Sequence, residues 1–326
     1  SISLKRKKMK TILVAGGAGY IGSHTVKYLL NHNYNVVVVD NLVYGHKEAV
    51  LTPNFEQIDL CDKEALDKVF KKYEIDAVIH FAAFSFVGES VTNPKKYYHN
   101  NLVNTLNLLD TMIDNNVKNI VFSSTCATYG DPEYTPIDEK HQQNPINPYG
   151  NTKLAIERMM ADYETAYGLK YVSLRYFNAA GCDADGELGE SHDPETHLIP
   201  LVLRAIKGEI PQINVFGTDY DTEDGTCIRD YIHVEDLAVA HMLAVEKLFK
   251  DKQSHCLNLG TGIGTSVMEI IKASEEVTGK KVPLKLSERR AGDPAKLYAA
   301  NKKSKEVLGW APKYTDVKDI IKTAWI

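Results

Sequence analysis

Short runs of apolar, β-branched residues recur through the first half of the chain, and each is followed by a stretch whose apolar positions return every three to four residues. The runs cover residues 10–17 ("KTILVAGG"), 34–40 ("YNVVVVD"), 55–60 ("FEQIDL"), 76–83 ("DAVIHFAA"), 119–125 ("NIVFSST") and 170–178 ("KYVSLRYFN"). Helix-period segments lie near 21–31, 63–73, 94–115 and 150–167. Strands that are apolar on both faces must be covered on both sides, and alternation with helices is the signature of a parallel sheet. The pattern predicts an α/β fold with a doubly wound parallel, Rossmann-like sheet.

After "RYFNAAG" the pattern changes. Residues 182–196 are acidic, rich in Gly and His, and without period; a helix ("LIPLVLRAIKG"), a loop ("FGTDYDTEDGTCIRD"), a helix near 235–249, a strand ("CLNLGTG") and a helix near 266–278 follow. This predicts a nucleotide-binding domain over 9–177 and a smaller mixed α/β substrate domain over 178–326, with part of 226–262 returning to the first. The basic stretch "SISLKRKK" reads as an addition ahead of a natural start at Met9, and no function is assigned to it.

Composition narrows the function. Hydrophobic residues make up 44% and charged residues 25%, as in an ordinary globular protein. Lys and Arg total 38 against 43 Asp and Glu, a net charge of -5, so no general nucleic-acid surface is expected and any anionic ligand must be held locally. Cys61, Cys126, Cys182, Cys227 and Cys256 are scattered without metal-ligand spacing, and a reducing, cytoplasmic setting is the expectation. No apolar run approaches the ~20 residues of a membrane span.

The chemistry begins at Gly16-x-x-Gly19-x-x-Gly22, between the first strand and its helix. Glycines there allow a tight turn and close approach of a pyrophosphate to a helix N-terminus. Asp40 ends the second strand, where a carboxylate hydrogen-bonds a free ribose 2′-hydroxyl and repels a 2′-phosphate, which favours NAD over NADP. Asp59 reads equally as an adenine-side group or as a helix N-cap. Ser123, Ser124 and Thr125 end the fifth strand, at the edge where ligands of open α/β sheets bind. In "NPYGNTK", Pro148 suits a first helical turn, and Tyr149 and Lys153 then share one helix face at i, i+4. A phenol of pKa about 10 becomes a usable base only where neighbouring positive charge favours its anion.

A strand-end hydroxyl, a Tyr and a Lys downstream of a dinucleotide turn resemble the short-chain dehydrogenase/reductase superfamily. More closely, "GGAGYIGSHTV", "VIHFAA", "NPKKYYHNN", "PINPYGNTK", "LRYFNAAG", "FGTDYDTEDGTCIRDYIHVEDLA", "NLGTG" and "RRAGDP" follow one another as in the UDP-glucose 4-epimerases (UDP-galactose 4-epimerases), over residues 9–326. That resemblance implies NAD as cofactor, UDP-glucose and UDP-galactose as substrates, and a homodimer paired through helices near 94–115 and 150–167. It implies Thr125, Tyr149 and Lys153 as catalytic residues, the last two also touching the cofactor. Gly16, Gly19, Tyr20, Ile21, Asp40, Asn41, Asp59, Leu60, Phe81, Ala82, Asn100 and Tyr176 fall on cofactor positions. Asn178, Leu198, Phe216, Arg229, Tyr231, Arg290 and Asp293 fall on UDP-sugar positions.

Some positions depart from the family pattern. Ser85 replaces a lysine that some members place near the cofactor, and His197 stands where an asparagine often meets the diphosphate. His192 and His197 lie near Asp193 and Glu195, but their spacing fits no standard cluster and no metal is expected. Leu297 replaces a tyrosine that, in the family, excludes 2-acetamido sugars, so UDP-N-acetylglucosamine is an expected further substrate; the opposing reading makes Leu297 simply core. Among rivals, a 4,6-dehydratase needs an Asp-Glu pair after the fifth-strand Thr, where this chain has Cys126 and Ala127. A UDP-glucuronate 4-epimerase stays open. A non-catalytic NAD-sensing module has no need of the Thr125, Tyr149, Lys153 set.

Overall fold

The computed structural model describes residues 8–192 and 195–325, so the expectations for the leader up to residue 7 and for Asp193 lie outside the described residues. Seven parallel strands form the central sheet: β1 (Thr11–Ala15), β2 (Asn35–Asp40), β3 (Phe55–Gln57), β4 (Ala77–His80), β5 (Asn119–Thr125), β6 (Lys170–Tyr176) and a late strand, His255–Leu259. Their spatial order is β3-β2-β1-β4-β5-β6 and then the late strand, which pairs in parallel with β6. The order reverses between β1 and β4, so the crevice of this sheet opens above their carboxyl ends.

The valines of β2 show why the sheet is central: Val36, Val37, Val38 and Val39 are all buried, alternating between two cores. On one face pack α1 (Tyr20–Leu30) and the helix Val234–Asp251, through Val26, Leu29, Leu237 and Leu248. On the other pack α2 (Lys63–Lys72), the helix Asn104–Asp114 and the helix Pro148–Tyr167, through Leu66, Leu108, Met112, Ile156 and Met160. Each such side chain taken out of water contributes about 1.5–3 kcal/mol before conformational entropy is counted.

The helix expected over 94–115 is in three pieces: α-helical Pro94–Tyr97, a π-helical segment Tyr98–Val103, and α-helical Asn104–Asp114. The wider turn carries Asn101, whose fully buried amide accepts from the Phe84 N–H (2.8 Å) and donates to the Phe84 carbonyl (3.0 Å). A side chain thereby completes the backbone bonding of the loop after β4, and a regular helix gives way to make that contact. The helix Pro148–Tyr167 follows its sequence signals closely. Asn147 caps it by accepting from the Gly150 N–H (2.8 Å), Pro148 takes the first turn, and Gly168 ends it in the left-handed region (φ 75°).

The second half adds small sheets that tie distant segments together. β7 (Asn178–Ala180) pairs in parallel with Tyr231–His233. Ile213–Phe216 pairs with Leu284–Ser287. Within the loop read as irregular, Ile228–Arg229 forms a short strand between Thr265–Ser266 and Lys296–Leu297. Among the described residues, no helix is long and apolar enough to cross a membrane.

Candidate active site

The cleft runs along the carboxyl edge of the sheet in two connected parts. The smaller part, about 110 Å³, is lined by Gly16, Gly19, Asp40, Asn41, Asp59, Leu60, Phe81, Ala82 and Asn100, all expected on the cofactor side. The larger, about 520 Å³, shares Gly16, Gly19 and Phe81 with the first and adds Tyr20, Ile21, Gly22, Thr125, Tyr149, Lys153 and Tyr176.

The β1–α1 turn is built for a close approach. Gly16 has φ +83°, and a Cβ there would stand 2.7 Å from the Ala82 backbone nitrogen. A Cβ on Gly22 would stand 2.2 Å from the Gly16 carbonyl oxygen, so the helix start and the turn fit only without side chains. Asp40 is held in place by the Ala18 N–H (3.0 Å) and the Leu42 N–H (2.8 Å); burial raises its pKa, and these two bonds pull it back. This cradle, a bare helix N-terminus beside an oriented carboxylate, fits an adenine dinucleotide with an unphosphorylated ribose.

Asp59 is no helix cap. Asp62 caps α2 by accepting from the Ala65 N–H (3.0 Å), while Asp59 lies just past β3 and accepts from the Asn41 side chain (3.0 Å) and the Cys61 N–H (2.9 Å). Asn104, which also lines this part, was missed from the sequence; it reaches Asp59 at 3.5 Å from the helix after the π-helical turn. Only the offset made by that turn distinguishes it.

The three strand-end residues have separate tasks. Ser124 is buried and donates to Glu157 (2.6 Å), which also binds the Arg175 guanidinium through both oxygens (2.6 and 3.1 Å). Ser123 offers its carbonyl to the Lys153 ammonium (2.7 Å). Thr125 accepts from the Ala127 N–H (3.1 Å) and faces the cleft. Lys153 stands 5.9 Å from the centre of the Tyr149 ring.

The electrostatics depart from the expectation in one respect. Burial pushes the Tyr149 phenol up to about 12, against the Thr125 hydrogen bond that lowers it. Burial likewise brings the Lys153 ammonium down to about 7, with Glu157 supporting its charge. The protein's own groups therefore leave the phenol protonated at neutral pH, and a further positive charge beside the ring is needed to make it a base.

Of the expected sugar-side residues, the fold brings Thr125, Asn178, His197, Arg229, Asp293 and Leu297 to the larger part of the cleft. Leu198, Phe216, Tyr231 and Arg290 do not line it. Leu198 packs into the small-domain core, and Tyr231 is buried beside Arg229. Arg290, well exposed, lies over the Phe216 ring (4.7 Å) and pairs with Asp293 (3.0 Å). Arg229 and Leu297 are register partners of adjacent strands, and the Arg229 guanidinium donates to the Pro294 carbonyl (2.9 Å). Asp230, missed from the sequence, is fully buried and accepts from the N–H groups of Thr261 (2.8 Å), Gly262 (3.1 Å) and Ala299 (3.1 Å), joining three segments behind Arg229.

Comparison with known proteins finds relatives along nearly the whole chain. A family model described as the NAD dependent epimerase/dehydratase family matches residues 12–260. The chain is 54% identical over 314 residues to a UDP-glucose 4-epimerase of Halalkalibacterium halodurans, covering 96% of this chain and 94% of that one. It is similar to the crystal structure of UDP-glucose 4-epimerase from Brucella ovis in complex with NAD (53% identity, TM-score 0.95, 97% of each chain). It is also similar to the UDP-Glc/GlcNAc 4-epimerase of Campylobacter jejuni (41% identity, TM-score 0.86, 97% of this chain and 98% of that one).

Proposed function

The chain belongs to the NAD dependent epimerase/dehydratase family, and from that membership we propose that it interconverts UDP-galactose and UDP-glucose. The observation that carries this reading is the meeting of Thr125, Tyr149 and Lys153 at the point where the dinucleotide cradle opens into the larger cleft. NAD, when bound, would supply reversible hydride chemistry at the sugar C4.

Gly16, Gly19 and Gly22 would hold the NAD pyrophosphate at the α1 N-terminus, and Asp40 would take the ribose. Tyr149 accepts the proton of the 4-hydroxyl and later returns it; Thr125 orients that hydroxyl. Lys153, fixed by the Ser123 carbonyl and with its charge supported by Glu157, adds positive charge beside the phenol in its protonated form, and the oxidised nicotinamide would supply the rest. Arg229 and His197 face the nucleotide diphosphate, Asn178 and Asp293 line the same UDP-sugar side, and Leu297 walls the hexose. A strong grip on the nucleotide with weak contacts to the hexose permits the ketone to turn over between the two transfers. Incubating the purified protein with UDP-galactose, with no NAD added, should yield UDP-glucose; failure to form it overturns the assignment.

Acceptance of UDP-N-acetylglucosamine is the second reading, favoured by Leu297 at the cleft wall and by likeness to a relative named for both sugars. A cytoplasmic homodimer completes the proposal. Exposed apolar Tyr98, Val103 and Leu106 on the first of the two expected pairing segments support it, and a monomer by sedimentation would overturn it.

A further inference from the structure

Two side-chain clusters on the 183–197 segment gather carboxylates, and they differ in what sits between them. Asp183, Asp185 and Glu187 converge on Lys27, whose ammonium stands 2.8, 2.9 and 3.0 Å from them and already supplies the cation. Glu190, His192, Glu195 and His197 converge with no Lys or Arg in an ion pair among the described residues. Their ligand atoms all lie within 4.8 Å of one another.

We propose that Glu190, His192, Glu195 and His197 form a binding site for a divalent transition-metal ion of the Zn²⁺ class at the rim of the larger cleft. The ring nitrogen Nδ1 of His192 is 3.1 Å from Glu195 and 3.5 Å from Glu190; Nδ1 of His197 is 2.8 Å from Glu195 and 3.8 Å from Glu190. Bonds of ~2.1 Å in a tetrahedron separate neighbouring ligand atoms by about 3.4 Å, which falls inside this spread.

A second observation points to a ligand. The Glu190 side chain is only 4% exposed, its Oε2 has no hydrogen-bond partner, and that oxygen is the one turned to both imidazoles. An unpartnered carboxylate oxygen in such a place is costly, and a cation between it and the two rings satisfies it.

Two imidazole nitrogens with two carboxylate oxygens suit Zn²⁺ rather than Mg²⁺ or Ca²⁺, which take oxygen ligands. The ion would bind the segment ahead of Leu198–Ile206 to itself, and through the His192 ring, edge-on to Tyr20 at 5.6 Å, to the start of α1. His197 would meet the ion through Nδ1, leaving Nε2 as its nitrogen free for a cleft ligand. The site stands independently of the reaction proposed above.

The test is Zn²⁺ titration of chelator-treated holoenzyme, followed by metal content after gel filtration and by thermal melting. Wild type should take up one Zn²⁺ per chain that Mg²⁺ does not displace, with a rise in melting temperature. Glu190→Gln and His192→Ala should each lose that equivalent and its thermal shift, and any further Zn²⁺ picked up by the exposed Cys61 should be the same in all three proteins. Equal uptake in wild type and either variant, no uptake at all, or displacement by Mg²⁺ would overturn the proposal.

Discussion

The nucleotide side and the sugar side of the cleft are made in different ways. On the nucleotide side, Gly16, Asp40 and Phe81 each stand at or just after the end of one of three adjacent parallel strands, so the pairing of those strands brings them together. On the sugar side, Asn178, His197, Arg229 and Leu297 come from four segments spread over more than a hundred residues. They meet through strands of two or three residues and through Asp230, which accepts backbone N–H groups from elsewhere in the chain. A site built on a seven-stranded sheet inherits its rigidity. One built on short bridges depends on a few hydrogen bonds, and side-chain changes there should alter specificity before they alter binding of the cofactor.

The largest effect should come at the junction of the two sides. Tyr149→Phe removes the proton acceptor proposed above while leaving both walls in place, so turnover should fall by roughly 10²–10⁴-fold with NAD and UDP still bound. Steady-state rates with nucleotide content measured on the same preparation check this, and a near-normal rate would sink the assignment.

Lys153→Met probes the charge balance at the same point. Burial already opposes the phenolate, so removing the ammonium leaves the Tyr149 anion harder to form. Activity rises with pH as the phenol ionises, so the rising limb of the pH–rate profile should move to higher pH in the variant. An unmoved limb would mean that Lys153 acts only by position.

On the nucleotide side, Asp40→Ala removes the carboxylate proposed to take the ribose. A hydrogen bond to a charged group contributes about 1.5–3 kcal/mol, so NAD should be held roughly 10- to 100-fold less tightly and discrimination against NADP should weaken. Acid release and mass analysis of the copurified nucleotide, in wild type and variant, make the comparison; NADP in the wild-type extract would show Asp40 misplaced.

The smallest expected change is on the sugar side. Leu297→Tyr should cut the specificity constant for UDP-N-acetylglucosamine against UDP-glucose, by the ~1–3 kcal/mol typical of apolar pocket walls. Full retention of N-acetyl activity in the variant, or none in the wild type, would remove Leu297 as the gate. Cofactor content should be the same in both proteins, since the change lies on the loosely built side.

The chain's own pattern determined the strand ends and what they carry. The β-branched runs, the glycine turn before α1 and the Asn147-Pro148 start of a helix are local signals, because strand pleat, turn sterics and capping act over a few residues. That is why Gly16, Asp40, Tyr149 and Lys153 are legible in the sequence. Tertiary structure alone decided that Asn101 would interrupt a helix to bond the loop at Phe84, that Arg229 and Leu297 would be neighbours, and that Glu190 would be buried facing two histidines. Arg229 and Leu297 meet through segments far apart in the chain, while Asn101 and Glu190 meet their partners through loop paths that no short-range period records; burial sets the charge state of Tyr149 and Lys153 only once the core has closed over them.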